Sequence, residues 1–432
     1  MAQRSEIDKL WNAIEKAGSM DAYIDGQLRE HGFLVKRRAT DNMSRRELDK
    51  YKKELKGEAA ERKRVKNTAW QAYKAKHIVH LGDGVYWNDN DDFDRWDLDN
   101  AEERAAENEL PTLDKPQDLA LALGITIPQL RWLAYHRDAA TELHYTRFTI
   151  PKRDGSDRAI WAPKTLLKKA QYWINDNIVS QLIVHGAAHG FMAGRSILTN
   201  ATVHTDSKTV LKMDLRNFFP TVTFRRVKGL FRKAGYREQI STLLALLVTE
   251  APREVVEENN KTYFVSLGPR CLPQGAPTSP MITNVLCLQL DRRLTGIAEK
   301  YGWRYTRYAD DLTFSLPNGP DKEPKLGALM HVVKQIVTDE GFVVHPEKTR
   351  VTRKGARQKV TGLVVNDKGA PRVPQKRKRQ LRAAIHNLQN GKPLREDETL
   401  AQLEGLAAFI YMTDPKLGSS MLADLRNIAN KI

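Results

Sequence analysis

At 432 residues with 41% hydrophobic content, the chain has length for about two or three domains and apolar material for their cores, which excludes a disordered or fibrous protein. Its 70 Lys and Arg against 53 Asp and Glu leave a net charge of +17 spread over most of the chain, so a long phosphate-bearing partner, nucleic acid first, is expected. Two cysteines, Cys271 and Cys287, cannot build a disulfide framework or a zinc site, and no apolar run approaches a membrane span or signal core, so the expected setting is a reducing cytoplasm with no membrane partner.

Residues 1–76 are rich in Lys, Arg, Glu and Ala, and 44–76 reads as a long charged helix or helical pair opened by a capping box, Ser44 with Glu47. A solvated helical extension is the plain reading, and a basic arm laid along RNA the sharper one. Residues 77–100 hold an apolar run and then an acidic one, which marks a boundary. Helical spacing returns over 114–137, with Pro128 opening a new helix. Residues 145–163 read as strand, Asp-Gly turn and strand, a hairpin whose Lys152, Arg153 and Arg158 suit a triphosphate. A helix is expected over 166–182 and a glycine-punctuated loop over 185–199. There His185 and His189 lack the intervening glutamate of a zinc site and are structural, while Arg195 is able to hold phosphate.

Residues 210–220 form an apolar strand that ends in Asp214. Residues 303–315 set Asp310 and Asp311 between two runs of strand formers, so alternation makes a hairpin with both carboxylates at its tip. Aspartate is a poor strand former, so a site has to justify the pair. Asp91-Asp92 is an equal doublet in letters but sits in a polar loop and reads as a solvated turn. Two divalent ions about 3.5–4 Å apart need carboxylates from at least two strands, and Asp214 is the missing one, although a strand-end cap is the common fate of such a residue. Helices are expected over 223–234 and 236–250, and a strand over 261–267. Next, Gly275 and three prolines within 272–280 fix a loop able to press Gln274 against a flat substrate, ahead of a helix over 281–298. A hairpin over 359–365 precedes a helix begun by Pro374. Lys376, Arg377, Lys378, Arg379 and Arg382 near its start oppose the helix dipole, so phosphate contact explains them better than helix stability does. Two apolar helices follow, at 402–410 and from 416 onward.

Taken in order, Asp214 with Phe218-Phe219-Pro220, Leu272-Pro273-Gln274-Gly275, Tyr308-Ala309-Asp310-Asp311 and residues 341–349 resemble the palm motifs of reverse transcriptases, over roughly residues 140–420. Gly190-Phe191 with Gly194-Arg195-Ser196 is shared with bacterial reverse transcriptases broadly, those of group II introns included. Asn200-Ala201-Thr202-Val203-His204 and Val360-Thr361-Gly362 resemble signatures of the retron branch.

The resemblance implies an α+β right-hand polymerase. Residues 1–76 would be a charged helical N-terminal extension, 77–140 a linker and helical part of the fingers, 141–358 fingers and palm, and 359–432 a primer-grip hairpin and helical thumb. It implies an RNA-directed DNA polymerase that uses a cognate structured non-coding RNA as template and primer. The product would be single-stranded DNA linked 2′-5′ to a guanosine of that RNA, serving antiphage defence with a separate effector protein. Asp214, Asp310 and Asp311 are implied to hold two Mg²⁺ ions, and Lys348 to protonate pyrophosphate. Phe219 would reject a ribose 2′-hydroxyl, Gln274 and Gly275 would line the dNTP pocket, and Lys152 or Arg153 together with Arg158 would hold the triphosphate. Asn200, Ala201, His204, Val360, Thr361 and Gly362 are implied to help recognise the RNA, with packed polar residues as the alternative for Asn200 and His204, and Lys376, Arg377 and Arg379 join them as the phosphate contacts argued above. No carboxylate-rich ribonuclease H segment follows, so RNA removal is expected to fall to a host ribonuclease H. Three rivals stay open: a group II intron type of reverse transcriptase, an RNA-dependent RNA polymerase (ill suited to a bulky Phe219), and a non-catalytic RNA-binding scaffold or antitoxin.

Overall fold

The computed structural model describes residues 2–87, 99–151, 155, 157–319, 326–395 and 398–430; Lys152, Arg153 and the Asp91-Asp92 loop lie outside them. Its strands, in chain order, are β1 (Ala139–Ala140), β2 (Tyr145–Pro151), β3 (Asp157–Pro163), β4 (Ser207–Leu215), β5 (Arg253–Glu258), β6 (Lys261–Ser266), β7 (Arg304–Tyr308), β8 (Asp311–Pro317), β9 (Val344–Arg353), β10 (Lys359–Val360) and β11 (Leu363–Val364).

The central sheet is antiparallel in the order β7-β8-β4-β9. Alternate residues of β4 serve two cores. Leu211, Met213 and Leu215 join Leu312 and Phe314 of β8 in the main core, which the helices Leu288–Lys300 and Leu326–Asp339 complete with Leu290, Leu294, Leu329 and Val333. Val210, of opposite parity, enters a second core with Val360, Leu363, Leu381, Leu403 and Leu425, built by β10, β11 and the helices Gln375–Gln389, Leu400–Tyr411 and Pro415–Ala429. Lys212 and Asp214 share the parity of Val210 but stay half-buried, and Asp214 borders an open cleft.

Around this sheet lie the β2–β3 hairpin and a three-stranded sheet, β1-β6-β5. At the N-terminus, Arg45–Lys76 is one 32-residue helix with the expected capping box, packed on the helices Ala2–Lys16 and Met20–Glu30 through small cores around Ala69 and Val65. No helix among the described residues is long and apolar enough to cross a membrane.

Some elements differ from expectation. The helix expected over 281–298 is two, Ser279–Leu286 and Leu288–Lys300, interrupted at Cys287. A short helix, Ile197–Thr202, arises at the end of the expected loop, because Ser196 and Thr199 cap it reciprocally. Strands β5 and β9 are additions: both are mostly exposed, so neither shows the apolar alternation that marks a half-buried strand.

Candidate active site

The β7–β8 connection is a two-residue turn, Ala309-Asp310, closed by the pair Tyr308↔Asp311. Ala309 has φ +55°, the sign required at the first position of such a hairpin turn, where glycine is the easy residue. Leu215 donates its backbone N–H to the Asp310 carbonyl at 2.9 Å, which ties the turn to the end of β4. Register then sets Asp214 directly opposite Asp311. The three aspartates therefore meet at one end of the sheet.

Burial raises the Asp310 pKa to about 6, and the nearby Asp214 charge adds to the rise. Lys348 Nζ lies 2.9 Å from Asp214 Oδ1, and Lys212 Nζ 3.2 Å from Asp311 Oδ2. No three His, Cys, Asp or Glu side chains among the described residues are drawn into a ready-made metal cluster. The donor set nonetheless suits a hard dication: oxygen ligands from two strands, with mutual repulsion that a cation relieves. Lys348 lies within β9 and is half exposed.

A cleft of about 600 Å³ opens beside these carboxylates, bordered by Arg158, Phe219, Gln274, Gly275 and Lys348 as well as Asp214 and Asp310. Phe219 leans on buried Phe218, ring centroids 5.5 Å apart, and Phe218 on Phe342 at 5.5 Å. Trp161 of β3 donates its backbone N–H to the Gln274 carbonyl at 2.7 Å. At Gly275, φ +115°, a Cβ would stand 2.7 Å from Ile160 Cγ2 and 2.9 Å from the Trp161 carbonyl, so this glycine lets the loop lie against the hairpin. Of the expected triphosphate cations, Arg158 is brought to the cleft, and Lys152 lies outside the described residues.

Beneath the turn is a polar network that sequence reading missed. Arg307 and Asp291 are fully buried and paired, with Nη2 2.7 Å from Oδ2. Tyr305 donates its hydroxyl to Asp291 at 2.8 Å, and Arg307 Nη1 donates to Asn284 Oδ1 at 3.0 Å and to the Ala309 carbonyl at 3.3 Å. Asn284 in turn donates to the Gly190 carbonyl at 2.8 Å. A Cβ at Gly190 would come within 2.8 Å of the Ala309 nitrogen, so this loop seats directly on the turn. The available signal was charge at core parity: Arg307 shares the strand face of Tyr305, and Asp291 falls beside Leu290 and Leu294.

The two retron-like signatures are brought together, but inside the protein. Asn200, Ala201, His204 and Val360 have no exposed surface. Asn200 Nδ2 reaches Thr361 Oγ1 at 3.5 Å, Thr361 donates to the Ile197 carbonyl at 3.0 Å, and Ala201 and Val360 share the second core. A group without exposed surface offers nothing to a base or phosphate, so burial favours the packed alternative for Asn200 and His204 and leaves Ala201 and Val360 no direct contact with RNA. Gly362, Lys376, Arg377 and Arg379 are exposed. All but Arg379 border a cleft of about 710 Å³, whose other cations are Arg357 and Lys359 and whose apolar wall is Leu406 and Phe409.

His204 sits with Nδ1 2.7 Å from Ser315 Oγ and Nε2 2.7 Å from Thr306 Oγ1. Burial, reinforced by Arg304, lowers its pKa to about 3. The unfolded chain protonates near pH 6.5 while the folded histidine stays neutral, so stability is full above that pH and is lost as pH falls toward 3, by about 1.4 kcal/mol per unit. His204→Gln should therefore flatten the acid limb of a melting-temperature profile between pH 6.5 and 4. An unchanged limb would put the acid sensitivity elsewhere.

Fold and site together define an α+β polymerase, and residues 150–379, more than half of the chain, match the family described as reverse transcriptase (RNA-dependent DNA polymerase). The chain is 52% identical to the Retron Mx162 reverse transcriptase of Myxococcus xanthus over 426 residues, covering 96% of this chain and 88% of that one. It is 43% identical over 308 residues to the Retron Mx65 reverse transcriptase of the same organism (71% and 70% covered), and 31% over 324 residues to the Retron Ec86 reverse transcriptase of Escherichia coli (74% and 92%). The chain belongs to the retron reverse transcriptases and is an RNA-directed DNA polymerase.

Proposed function

We propose that the chain copies part of a cognate structured non-coding RNA into single-stranded DNA, with nucleotidyl transfer at Asp214, Asp310 and Asp311. The observation that supports this best is the in-register opposition of Asp214 and Asp311, with Asp310 on the turn beside the cleft. Those carboxylates would hold two Mg²⁺ ions, which when bound supply charge stabilisation at the reacting phosphate and a lowered pKa for the attacking hydroxyl. Arg158, with Lys152 or Arg153, holds the incoming triphosphate as an array of cations. Gln274 and Gly275 shape the nucleotide pocket. Lys348, placed at the cleft edge by β9, protonates the leaving pyrophosphate.

The RNA supplies both template and primer, the attacking group being the 2′-hydroxyl of an internal guanosine, so the DNA stays joined to it by a 2′-5′ bond. The central sheet acts as the palm, and the β2–β3 hairpin with the helical part of 77–140 as fingers. Residues 359–432 act as primer grip and thumb, where Lys376 and Arg377 at the basic cleft, with Arg379 on the same helix, take phosphates and Thr361 and Gly362 form the joint to the sheet. Antiphage defence with a separate effector protein, and RNA removal by a host ribonuclease H, complete the reading.

Phe219 carries the sugar selection: it borders the cleft, and its ring would exclude a ribose 2′-hydroxyl there. Phe219→Ala should raise ribonucleotide incorporation relative to deoxyribonucleotide by at least about tenfold, as the removal of a steric block does. Single-nucleotide extension with dNTP and rNTP in parallel measures it, and unchanged discrimination would remove the assignment.

A further inference from the structure

The helix Arg45–Lys76 takes no part in the site above, and although Lys and Arg occur all around it, one line along its surface carries no acidic residue. At about 100° per residue, Arg45, Lys52, Lys56, Lys63, Lys66, Trp70 and Lys74 fall within roughly 40° of one line along it, a stripe about 43 Å long. Its acidic residues, Glu47, Asp49, Glu54, Glu58 and Glu61, all fall outside that stripe. Tyr51, Val65, Ala69 and Ala72 are buried on a face that lies roughly 100–160° around the helix from the stripe. Lys52, Lys56, Lys63 and Lys66 are exposed. Among the described residues the ion pairs of this helix join Arg62 to Asp25 and Glu58, Arg64 to Glu61, Lys76 to Asp8 and Glu58 to Arg37; the four lysines are in none of them.

The C-terminal end of the stripe is aromatic. Trp70 stacks on Tyr73 with centroids 5.4 Å apart and planes 6° apart, and Tyr73 stacks on His77 at 4.2 Å and 8°. Trp11 wedges edge-on against Tyr73 and His77 and holds the ladder in place. The outer ring, Trp70, remains 39% exposed. We propose that this helix is a docking arm for a single-stranded segment of RNA, in which the lysine stripe takes successive phosphates and an unstacked base extends the Trp70–Tyr73–His77 stack. The charge stripe alone would suit any polyanion. An exposed tryptophan on the same line singles out a strand with free bases over a duplex or a lipid surface. The inference rests on the reading that the chain works on RNA.

Binding is tested on the full chain by anisotropy with a fluorescein-labelled 15-nucleotide oligouridylate, with an excess of unlabelled RNA–DNA hybrid present to fill the catalytic cleft. Trp70→Ala should weaken binding about tenfold and Trp70→Phe should recover most of it, the pattern of a lost stacking surface. The fourfold change Lys52→Gln, Lys56→Gln, Lys63→Gln and Lys66→Gln, all at exposed positions, should reduce the log–log salt slope by about 3. An unchanged slope, a Trp70→Ala loss under twofold, or wild-type binding to anionic vesicles but not to the oligouridylate would overturn the arm. Wild-type extension of oligo(dT) on poly(rA), measured beside it, reports on the polymerase reading by itself: its failure would indict that reading, whatever the anisotropy shows.

Discussion

Asp310→Asn should lower RNA-templated DNA synthesis about a thousandfold while leaving the protein folded, since a carboxylate that helps to hold a catalytic dication carries several kcal/mol of transition-state stabilisation. The substitution keeps shape and removes charge. In the metal-free protein that charge is unfavourable, because Asp310 is largely buried and faces the charge of Asp214. The melting temperature without Mg²⁺ should therefore stay level or rise, while any rise induced by Mg²⁺ in the wild type should shrink. Extension of oligo(dT) on poly(rA), with thermal melts at several Mg²⁺ concentrations, reads both. Activity within tenfold of wild type would remove Asp310 from the centre. If a strain carrying Asp310→Asn with Asp311→Asn kept full phage protection, the biological role would be that of a scaffold.

The second large effect is structural. Asp291→Ala would leave the Arg307 guanidinium buried at 0% exposure without its carboxylate partner, a loss of about 3–5 kcal/mol. The melting midpoint should drop by on the order of 10 °C. Removing both charges, as Asp291→Leu with Arg307→Met, should cost less than Asp291→Ala alone, because no charge is then stranded. The double variant still lacks the Arg307 contact to the Ala309 carbonyl that steadies the carboxylate turn. Its kcat should fall with little change in KM for dNTP, whereas a purely structural role would restore both along with the fold. A double variant as unstable as the single one would refute the pairing argument.

The carboxylates were legible because aspartate is out of place in a strand, so Asp214, Asp310 and Asp311 stood out against apolar alternation. The β2–β3 hairpin was legible from its Asp-Gly turn. Strand β9 was not, since Pro346, Glu347 and Lys348 face solvent and break the pattern. Asn200 and His204 show a different limit. Local sequence leaves them open as RNA contacts or packed polar residues, because their partners, Thr361, Ser315 and Thr306, lie more than a hundred residues away, and only the tertiary fold shows that those bonds are made in the interior. The same holds for Arg307 with Asp291, where helix and strand must pack before either charge has a partner. Letters that resemble a recognition signature can thus mark a joint: Asn200 and Ala201 meet Thr361 and Val360 where the C-terminal helices adjoin the sheet.

The most direct measurement is to express the chain with the DNA that immediately precedes its reading frame, purify it, and analyse the nucleic acid it retains. The expected result is single-stranded DNA joined to RNA, its 5′ end freed only by an enzyme that cleaves 2′-5′ branches, and absent when Asp214, Asp310 and Asp311 are all asparagine. Retained DNA with an ordinary free 5′ end, or branched DNA still formed by the triple variant, would contradict it.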